Sequence, residues 1–255
     1  MTNSAFRQNV GTNWSTVLDD VLKAAKNSPC TACPPASGTT LAFPSMEKHL
    51  ENVEYFVANF QVNAITSTDK FFFWMRGKKK GGGLLADNSP LKSEMAQTFH
   101  ELKRRGLKEA DVNQFVANYT TMPVNGTSRQ SDILLSIGTH IELKNTPYNA
   151  NSTPKVQAID QVIGQNGAFG NISSLSEFEW VAFANRDNDA TSLKTMWKNV
   201  FVTKADDMFK SVEDGGLGII KIKQLFGNDV DDVSDFLDLI EDVSSNPIYD
   251  FIKAE

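Results

Sequence analysis

Two acidic residues and a lysine near the middle of the chain have the types and spacing for metal-assisted chemistry. They are Asp132, Glu142 and Lys144, in the segment SDILLSIGTHIELK that spans residues 131–144. Because side chains alternate along a strand, the even-numbered positions share one face, which is mostly polar. The odd-numbered positions share an apolar face, which consists of Ile133, Leu135, Ile137, Ile141 and Leu143. The pattern predicts two strands with one buried face and one face that carries chemistry.

Gly138 lies near the midpoint of this segment, where a tight turn needs a permissive backbone. A hairpin centred there places Asp132 opposite Glu142, with Cβ atoms on the order of 5 Å apart. Lys144 follows on the same face, roughly 6–7 Å further along its strand. The alternative is an exposed hairpin in which these charges only pair across the strands.

Two facing carboxylates repel each other unless a cation lies between them. Oxygen ligands suit a hard divalent ion such as Mg²⁺. Such an ion polarises a phosphodiester and lowers the pKa of a bound water molecule, and a nearby lysine can orient that water or stabilise the developing negative charge. The residue types therefore favour phosphodiester hydrolysis at Asp132, Glu142 and Lys144.

These residues resemble the catalytic motif of the PD-(D/E)XK nuclease superfamily, which includes restriction enzymes, phage resolvases and exonucleases. The match is Asp132, nine intervening residues and then Glu142-Leu143-Lys144, with Ser131 where the family often has a proline. It covers only the hairpin and its flanking helices. The resemblance implies that Asp132, Glu142 and the Leu143 carbonyl bind the metal, and that Lys144 positions the water or stabilises the transition state. It also implies Mg²⁺ as the cofactor, with Mn²⁺ as a substitute.

In this family, the helix before the sheet often supplies another metal-binding glutamate. Glu94 and Glu101 lie on the helix predicted at residues 90–105 and are seven residues apart, so they share nearly the same face. Either is a candidate metal ligand by resemblance. The alternative is that both are solvated surface glutamates.

The helix predicted from Pro154 to about Ile163 carries Gln157 and Gln161, which are four residues apart on one face. Some family members use a glutamine at this place to position the metal-bound water or to contact the substrate. Lys155 begins the same helix and offers a phosphate contact. For Gln157 and Gln161, the alternative that they are ordinary solvent-exposed polar side chains explains the sequence equally well. His140 shares the polar face of the hairpin with Glu142, but we expect it beside the turn and away from the site.

A basic loop at residues 76–83, RGKKKGGG, contains Lys78, Lys79 and Lys80. Lysines on a flexible glycine tether suit non-specific binding to a phosphate backbone. The loop lacks the GxxxxGK[ST] order of a nucleotide-binding loop. A solvated hairpin tip is the alternative.

Hydrophobic periodicity and capping signals predict the elements that position these residues. The predicted helices span residues 14–26, 46–60, 90–105, 109–118, 154–163 and 230–243. The predicted strands outside the hairpin span residues 71–75, 177–183, 200–203 and 217–222. This order indicates an α/β fold with a mixed sheet. The family resemblance implies a restriction-endonuclease-like αβββαβ core with helical additions at both ends. The predicted divisions are an N-terminal helical region at 1–66, a nuclease core at 67–226 and an acidic C-terminal segment at 227–255.

The net charge of -6 over 255 residues is unevenly distributed. Residues 227–255 contain nine acids and one base, which leaves 22 acids against 24 bases, or +2, for the rest. The body can therefore present a basic surface to a nucleic acid. The first residues lack an apolar run typical of a signal peptide and no apolar stretch could cross a bilayer, so we expect a cytoplasmic protein without a membrane partner. For Cys30 and Cys33 a plain loop, a disulfide and a metal site all stay open.

The prediction is a magnesium-dependent nuclease, a DNA endonuclease of restriction, phage or toxin type, acting on DNA rather than RNA. The alternative is a non-catalytic module that retains a nuclease-like fold and binds nucleic acid or protein. The acidic C-terminal helix favours this alternative, because it could dock on a basic partner. A homodimer would be common for a restriction enzyme, but no stretch of the sequence indicates a dimer interface.

Overall fold

The computed structural model describes residues 51–52, 55–56, 58–59, 94–115, 131–144, 148–182 and 189–254. The predicted helix at 14–26, the strand at 71–75, the basic loop with Lys78, Lys79 and Lys80, and the Cys30 and Cys33 pair lie outside these residues. The described residues form two compact units. One contains the described residues up to 115 together with Leu135–Ile137, and the other contains 131–134 together with the described residues from 138 to 254.

The elements follow one another along the chain as a mixture of helices and strands. The helices are α1 (Glu94–Arg104), α2 (Val156–Ile163), α3 (Ala168–Asn171), α4 (Ala190–Phe209), α5 (Ile219–Phe226) and α6 (Val233–Leu239). The strands are β1 (Val112–Phe115), β2 (Ile133–Leu135), β3 (His140–Lys144), β4 (Phe178–Ala182) and β5 (Ile252–Ala254). Short 3-10 segments lie at Glu109–Asp111, Leu175–Glu177 and Pro247–Tyr249. No helix within the described ranges is long and apolar enough to span a membrane.

The strands form one five-stranded mixed sheet in the order β1-β2-β3-β4-β5. Strands β2 and β3 are antiparallel, whereas β3 with β4 and β4 with β5 are parallel. A parallel pair needs a crossover, and α2 and α3 provide it between β3 and β4. The predicted combination of helices with a mixed sheet is therefore confirmed.

In the first unit, α1 ends where the sequence predicts. Gly106 has φ 66, the left-handed conformation that closes many helices. The Leu107 N–H donates to the Leu102 carbonyl at 2.9 Å, which satisfies one of the carbonyls left open at the helix end. Phe99 is buried on α1, and its ring centroid lies 4.6 Å from that of Phe56. Phe56 belongs to the predicted helix at 46–60, of which 51–52, 55–56 and 58–59 are described and helical.

In the second unit, aromatic side chains dominate the core. Helix α4 is its longest helix and begins at an N-cap, Asp189, whose side chain accepts from the Ser192 N–H at 2.7 Å. One stripe of α4 is buried and consists of Leu193, Met196, Trp197, Val200, Phe201, Ala205 and Met208. Spacings of three and four residues define this helical face. Phe201 packs among Phe169, Phe226 and Phe251, whose ring centroids lie 6.0 to 6.3 Å from its own.

Three secondary-structure predictions are wrong, two in the second unit and one in the first. Residues 200–203, predicted as a strand, lie inside α4, and residues 217–222, also predicted as a strand, lead into α5. Both segments are apolar and partly β-branched, which gives them a local preference for strand. In the folded protein they are mainly helical instead, because each helix buries residues spaced three and four apart against the core. The predicted helix at 109–118 is a 3-10 turn followed by β1 as far as Phe115, and residues 116–118 lie outside the described ranges.

The acidic C-terminal segment contributes to this same core. The predicted helix at 230–243 is observed as α6, and its Phe236 is fully buried among the aromatic rings. The Tyr249 hydroxyl donates to the Ile240 carbonyl at 2.8 Å. Strand β5, which the sequence did not indicate, pairs with β4. The acids of the segment lie mainly on its exposed side, while its apolar residues complete the core. The division of the chain at residues 66/67 and 226/227 stays a prediction.

Candidate functional site

The hairpin of β2 and β3 places the two carboxylates as the sequence predicts. Ile133 pairs with Ile141 and Leu134 with His140, and the same register continued by one residue sets Asp132 opposite Glu142. Gly138 has φ 90 in the connecting turn, a conformation that favours glycine. Asp132 and Glu142 are each only 7% exposed. Two buried acids therefore lie next to each other on adjacent chain segments.

The opposite face of the hairpin is apolar and buried, also as predicted. Its buried members are Ile133, Leu135, Ile141 and Leu143. Ile137 differs because it lies in the turn, and it is 80% exposed. Since a register slip of one residue would exchange the two faces, this burial fixes the acids on the face that also carries Lys144.

The Lys144 side chain lies beside the two carboxylates at the end of β3. Its Nζ donates to the Glu142 carboxylate in a close ion pair and to Gln161 Oε1 at 3.2 Å. The side chains of Lys144 and Glu142 are 15% and 9% exposed, so the pair is largely removed from water. Burial alone would lower the pKa of Lys144, but the carboxylates of Glu142 and Asp132 outweigh burial and raise that pKa. The lysine is therefore held in its charged form.

Asp132 is fixed by the backbone of the neighbouring strand. Its Oδ2 accepts a hydrogen bond from the Leu143 N–H at 2.6 Å, and the bond is buried. The contact ties the aspartate to β3 between Glu142 and Lys144. A charge-assisted bond of this kind is stronger than one between neutral groups, so it helps to hold the carboxylate in place.

Two aromatic residues form the wall next to this group. Trp180 of β4 pairs in register with Glu142, so both side chains lie on the same side of the sheet. Its ring centroid lies 5.3 Å from that of Tyr148, which is also buried and close enough to Lys144 to raise its pKa slightly. Tyr148 was missed by the sequence reasoning. Its only signal was an aromatic residue four positions after the lysine.

His140 lies at the start of β3, as expected, and has its own partner. Its Nδ1 is 2.8 Å from Ser131 Oγ, across the hairpin. Burial lowers the pKa of His140, and the charge of Glu177 partly offsets that effect. The histidine therefore favours the neutral form near pH 7 and links the two ends of the hairpin.

The predicted supporting residues have different outcomes. Gln161 is half-buried on α2 and reaches Lys144, whereas Lys155 and Gln157 lie exposed at the start of that helix. Glu94 is the first residue of α1. Lys78, Lys79 and Lys80 lie outside the described residues.

Glu101 is fully buried on α1, in the first unit, and has two guanidinium partners. Its carboxylate accepts from Arg104 at 2.7 and 2.9 Å and also pairs closely with Arg105. Burial raises the pKa of a carboxyl group, but the two arginines outweigh burial and lower the pKa of Glu101. These contacts explain how the charge is stabilised without a metal, so the prediction that Glu101 is a ligand gains no support.

The oxygen atoms beside Lys144 form a sparse donor set for a metal. Within the described ranges, no cluster of three or more His, Cys, Asp or Glu side chains could hold an ion. Asp132, Glu142 and the Leu143 carbonyl supply oxygen donors only. Mg²⁺ commonly binds one or two carboxylates and completes its octahedron with water and substrate phosphate oxygens. The donor chemistry of this small group therefore fits Mg²⁺ better than a softer metal.

No protein-family model matches this chain, and no match was found among curated proteins or among solved structures.

Proposed function

We propose that this chain is a magnesium-dependent nuclease of the PD-(D/E)XK type that hydrolyses phosphodiester bonds in DNA. The observation that carries the proposal is the buried group at the end of β3. There the Lys144 ammonium contacts the Glu142 carboxylate, beside an aspartate held by the Leu143 N–H. Burying an ammonium and two carboxylates costs stability unless they are paired, and functional sites are where proteins most often accept such a cost.

The arrangement of elements also supports the proposal. In the described residues, α1, β1, β2, β3, α2 and β4 follow one another as α-β-β-β-α-β, with a short α3 after α2. This is the order that the family resemblance implies. Lys144 lies at the carboxyl end of β3, which is parallel to β4 and β5. Ligands of open sheets with parallel strands bind in the crevice outside the carboxyl ends of those strands.

The chemistry assigns one task to each residue. Asp132, Glu142 and the Leu143 carbonyl would hold the ion, which supplies Lewis acidity for the phosphodiester and its attacking water. Lys144 donates hydrogen bonds to the attacking water or to the phosphoryl oxygen on which charge develops. Gln161 holds the Lys144 ammonium at the right place. Trp180 and Tyr148 exclude water on one side, which strengthens these electrostatic interactions.

One observation favours the alternative, a non-catalytic module that binds nucleic acid or protein. The Lys144 ammonium already neutralises Glu142, so the group can be stable as a structural ion pair without any metal. The exposed acids of the C-terminal segment would then be the surface that meets a basic partner. A protein of this kind gains no thermal stability from Mg²⁺ or Mn²⁺, whereas a ligand that binds only the folded state raises stability by mass action.

The experiment is cleavage of supercoiled plasmid DNA in Mg²⁺, with the wild type, Asp132→Ala and Lys144→Ala compared. The matched control is Lys198→Ala, which removes a lysine that pairs with Glu241 at 2.7 Å. We expect cutting by the wild type and the control, with loss of cutting in EDTA and in both site variants. Cutting that survives Asp132→Ala or Lys144→Ala would assign the activity to other residues. No cutting of any DNA or RNA in Mg²⁺ or Mn²⁺ would favour the binding module.

A further inference from the structure

The Lys144 ammonium contacts the carboxylate that would have to bind a metal ion. Its Nζ contacts Glu142, and the nearby Asp132 carboxylate also interacts with its charge. Both acids are 7% exposed, so water screens their mutual repulsion only weakly. The positive charge at this place offsets part of the repulsion between the two neighbouring carboxylates.

We propose that Lys144 is the internal counter-cation of Asp132 and Glu142, and that a divalent ion binds by displacing its ammonium from Glu142. This inference rests on the proposed function, because it concerns metal binding at the same site. It adds that the lysine competes with the ion. The protein would then fold with one of the two negative charges compensated before any metal arrives, and the lysine would lower the affinity of the site for the metal.

Gln161 gives the displaced ammonium a second place to bond. Its Oε1 lies 3.2 Å from Lys144 Nζ on the side of α2, while Glu142 belongs to β3 itself. When a metal takes the Glu142 oxygen, Lys144 keeps the Gln161 contact and stays beside the site. Without this neutral acceptor, the displaced ammonium would have an N–H group with no hydrogen-bond partner while it lies close to a divalent cation. Both conditions destabilise a largely buried ammonium. Gln161 is therefore a positioning residue for the lysine.

Removal of the lysine charge has two opposite consequences. Metal affinity rises, because the ion no longer competes with an ammonium and meets no like charge. Stability without metal falls, because two buried carboxylates are left facing each other. A residue that only packs or only helps catalysis would not change both properties in opposite directions.

The first measurement is calorimetric titration of EDTA-treated protein with Mn²⁺ and with Mg²⁺. The variants are Lys144→Met, which keeps the length of the side chain, and Glu142→Gln, with Lys198→Met as the control for net charge. We expect Lys144→Met to bind Mn²⁺ at least about tenfold more tightly than the wild type. Glu142→Gln should bind at least about tenfold more weakly, and Lys198→Met within about twofold of the wild type. The inference would be overturned if Lys144→Met bound Mn²⁺ no more tightly than the wild type does. It would also be overturned if neither protein bound Mn²⁺.

The second measurement needs no metal. A double-mutant cycle of Lys144→Met and Glu142→Gln in EDTA, followed by urea unfolding, measures the coupling of the two side chains. We expect Lys144→Met to shift the midpoint to lower urea, and addition of Glu142→Gln to recover part of that shift. Additive effects would overturn the counter-cation role. Plasmid cleavage by the wild type distinguishes the nuclease proposal from the counter-cation proposal. If the wild type cuts DNA but the two substitutions have additive effects on the urea midpoint, only the counter-cation proposal is contradicted.

Discussion

Lys144 Nζ and Gln161 Oε1 lie 3.2 Å apart, and this contact links the end of β3 to helix α2. Gln157 lies one helical turn earlier on α2 and is exposed. The helix therefore offers a matched pair of glutamines, one at the lysine and one toward solvent.

On the proposed function, Gln161→Met lowers kcat about tenfold with little change in KM, because it loosens a group that acts in the transition state. Gln161→Glu keeps an acceptor oxygen and should retain more activity than Gln161→Met. Gln157→Met is the comparison on the exposed part of the same helix and should lose less activity than Gln161→Met. Steady-state cleavage kinetics measure all three. An equal loss for both glutamines, or a change confined to KM, would contradict the positioning role.

Ser131→Ala should lower the free energy of unfolding by about 1 kcal/mol, because it removes the hydrogen-bond partner of a half-buried histidine. Ser131 Oγ lies 2.8 Å from His140 Nδ1. Ser136→Ala changes an exposed serine of the same hairpin and should cost less than about 0.5 kcal/mol. Urea unfolding of the two variants gives the comparison. Equal small losses would mean that the Ser131 contact adds nothing to stability.

Glu101→Gln should remove part of the pH dependence of stability below neutrality. The pKa of Glu101 is lowered in the folded protein from an ordinary value of 4.5, so its charged form adds stability above that value. This contribution disappears as the pH falls from about 4.5 toward the lower folded pKa. We expect the variant to lose roughly 1–3 kcal/mol at pH 7 and less at pH 3.

The control for this pH series is Phe99→Leu on the same helix. Phe99 is buried and does not titrate, so its loss should be similar at each pH. Chemical unfolding between pH 3 and pH 7 measures both variants. If Glu101→Gln and Phe99→Leu show parallel curves, the Glu101 carboxylate does not carry the acid sensitivity.

Gly138→Val should destabilise the hairpin more than Gly138→Asn does. The turn holds Gly138 at φ 90, which asparagine tolerates better than a β-branched residue. Apart from the two neighbouring residues of the chain, nothing lies within 4 Å of an added Cβ at this position, so the backbone conformation determines the cost. We expect about 1–2 kcal/mol for valine and less for asparagine. Thermal unfolding with EDTA present measures the difference, and equal midpoints would exclude the conformational explanation.

The hairpin was predictable because its signals are local. Alternation of polar and apolar residues, one glycine at the turn and a fixed period of two together determine which side chains share a face. That pattern alone places Asp132, Glu142 and Lys144 on one face of the hairpin. Helix α2 and strand β4 were predictable for the same reason, since each has one clear apolar face and recognisable ends.

The errors lie where local preference and long-range packing disagree. Val200 to Thr203 resembles a strand when read alone, but Asp189 caps a helix that includes it and the core buries every third or fourth residue. Strand β5 has three residues and is stabilised by a partner far away in sequence, which no local pattern reveals. The contacts of Gln161 and Tyr148 with the site also required the tertiary structure. The sequence indicated that Gln161 lies on a helix, but it did not indicate that its side chain contacts Lys144.

The pairing of β5 with β4 affects how the protein tolerates truncation. Between these strands the chain forms α4, α5 and α6, so β5 covers the side of β4 only when these helices have folded. A chain shortened ahead of Ile252 would expose the edge of β4, whose residues Trp180 to Ala182 are apolar and buried. Bare strand edges of this composition recruit other strands. Loss of residues 252–255 would therefore lead to self-association of the protein, in addition to a lower stability.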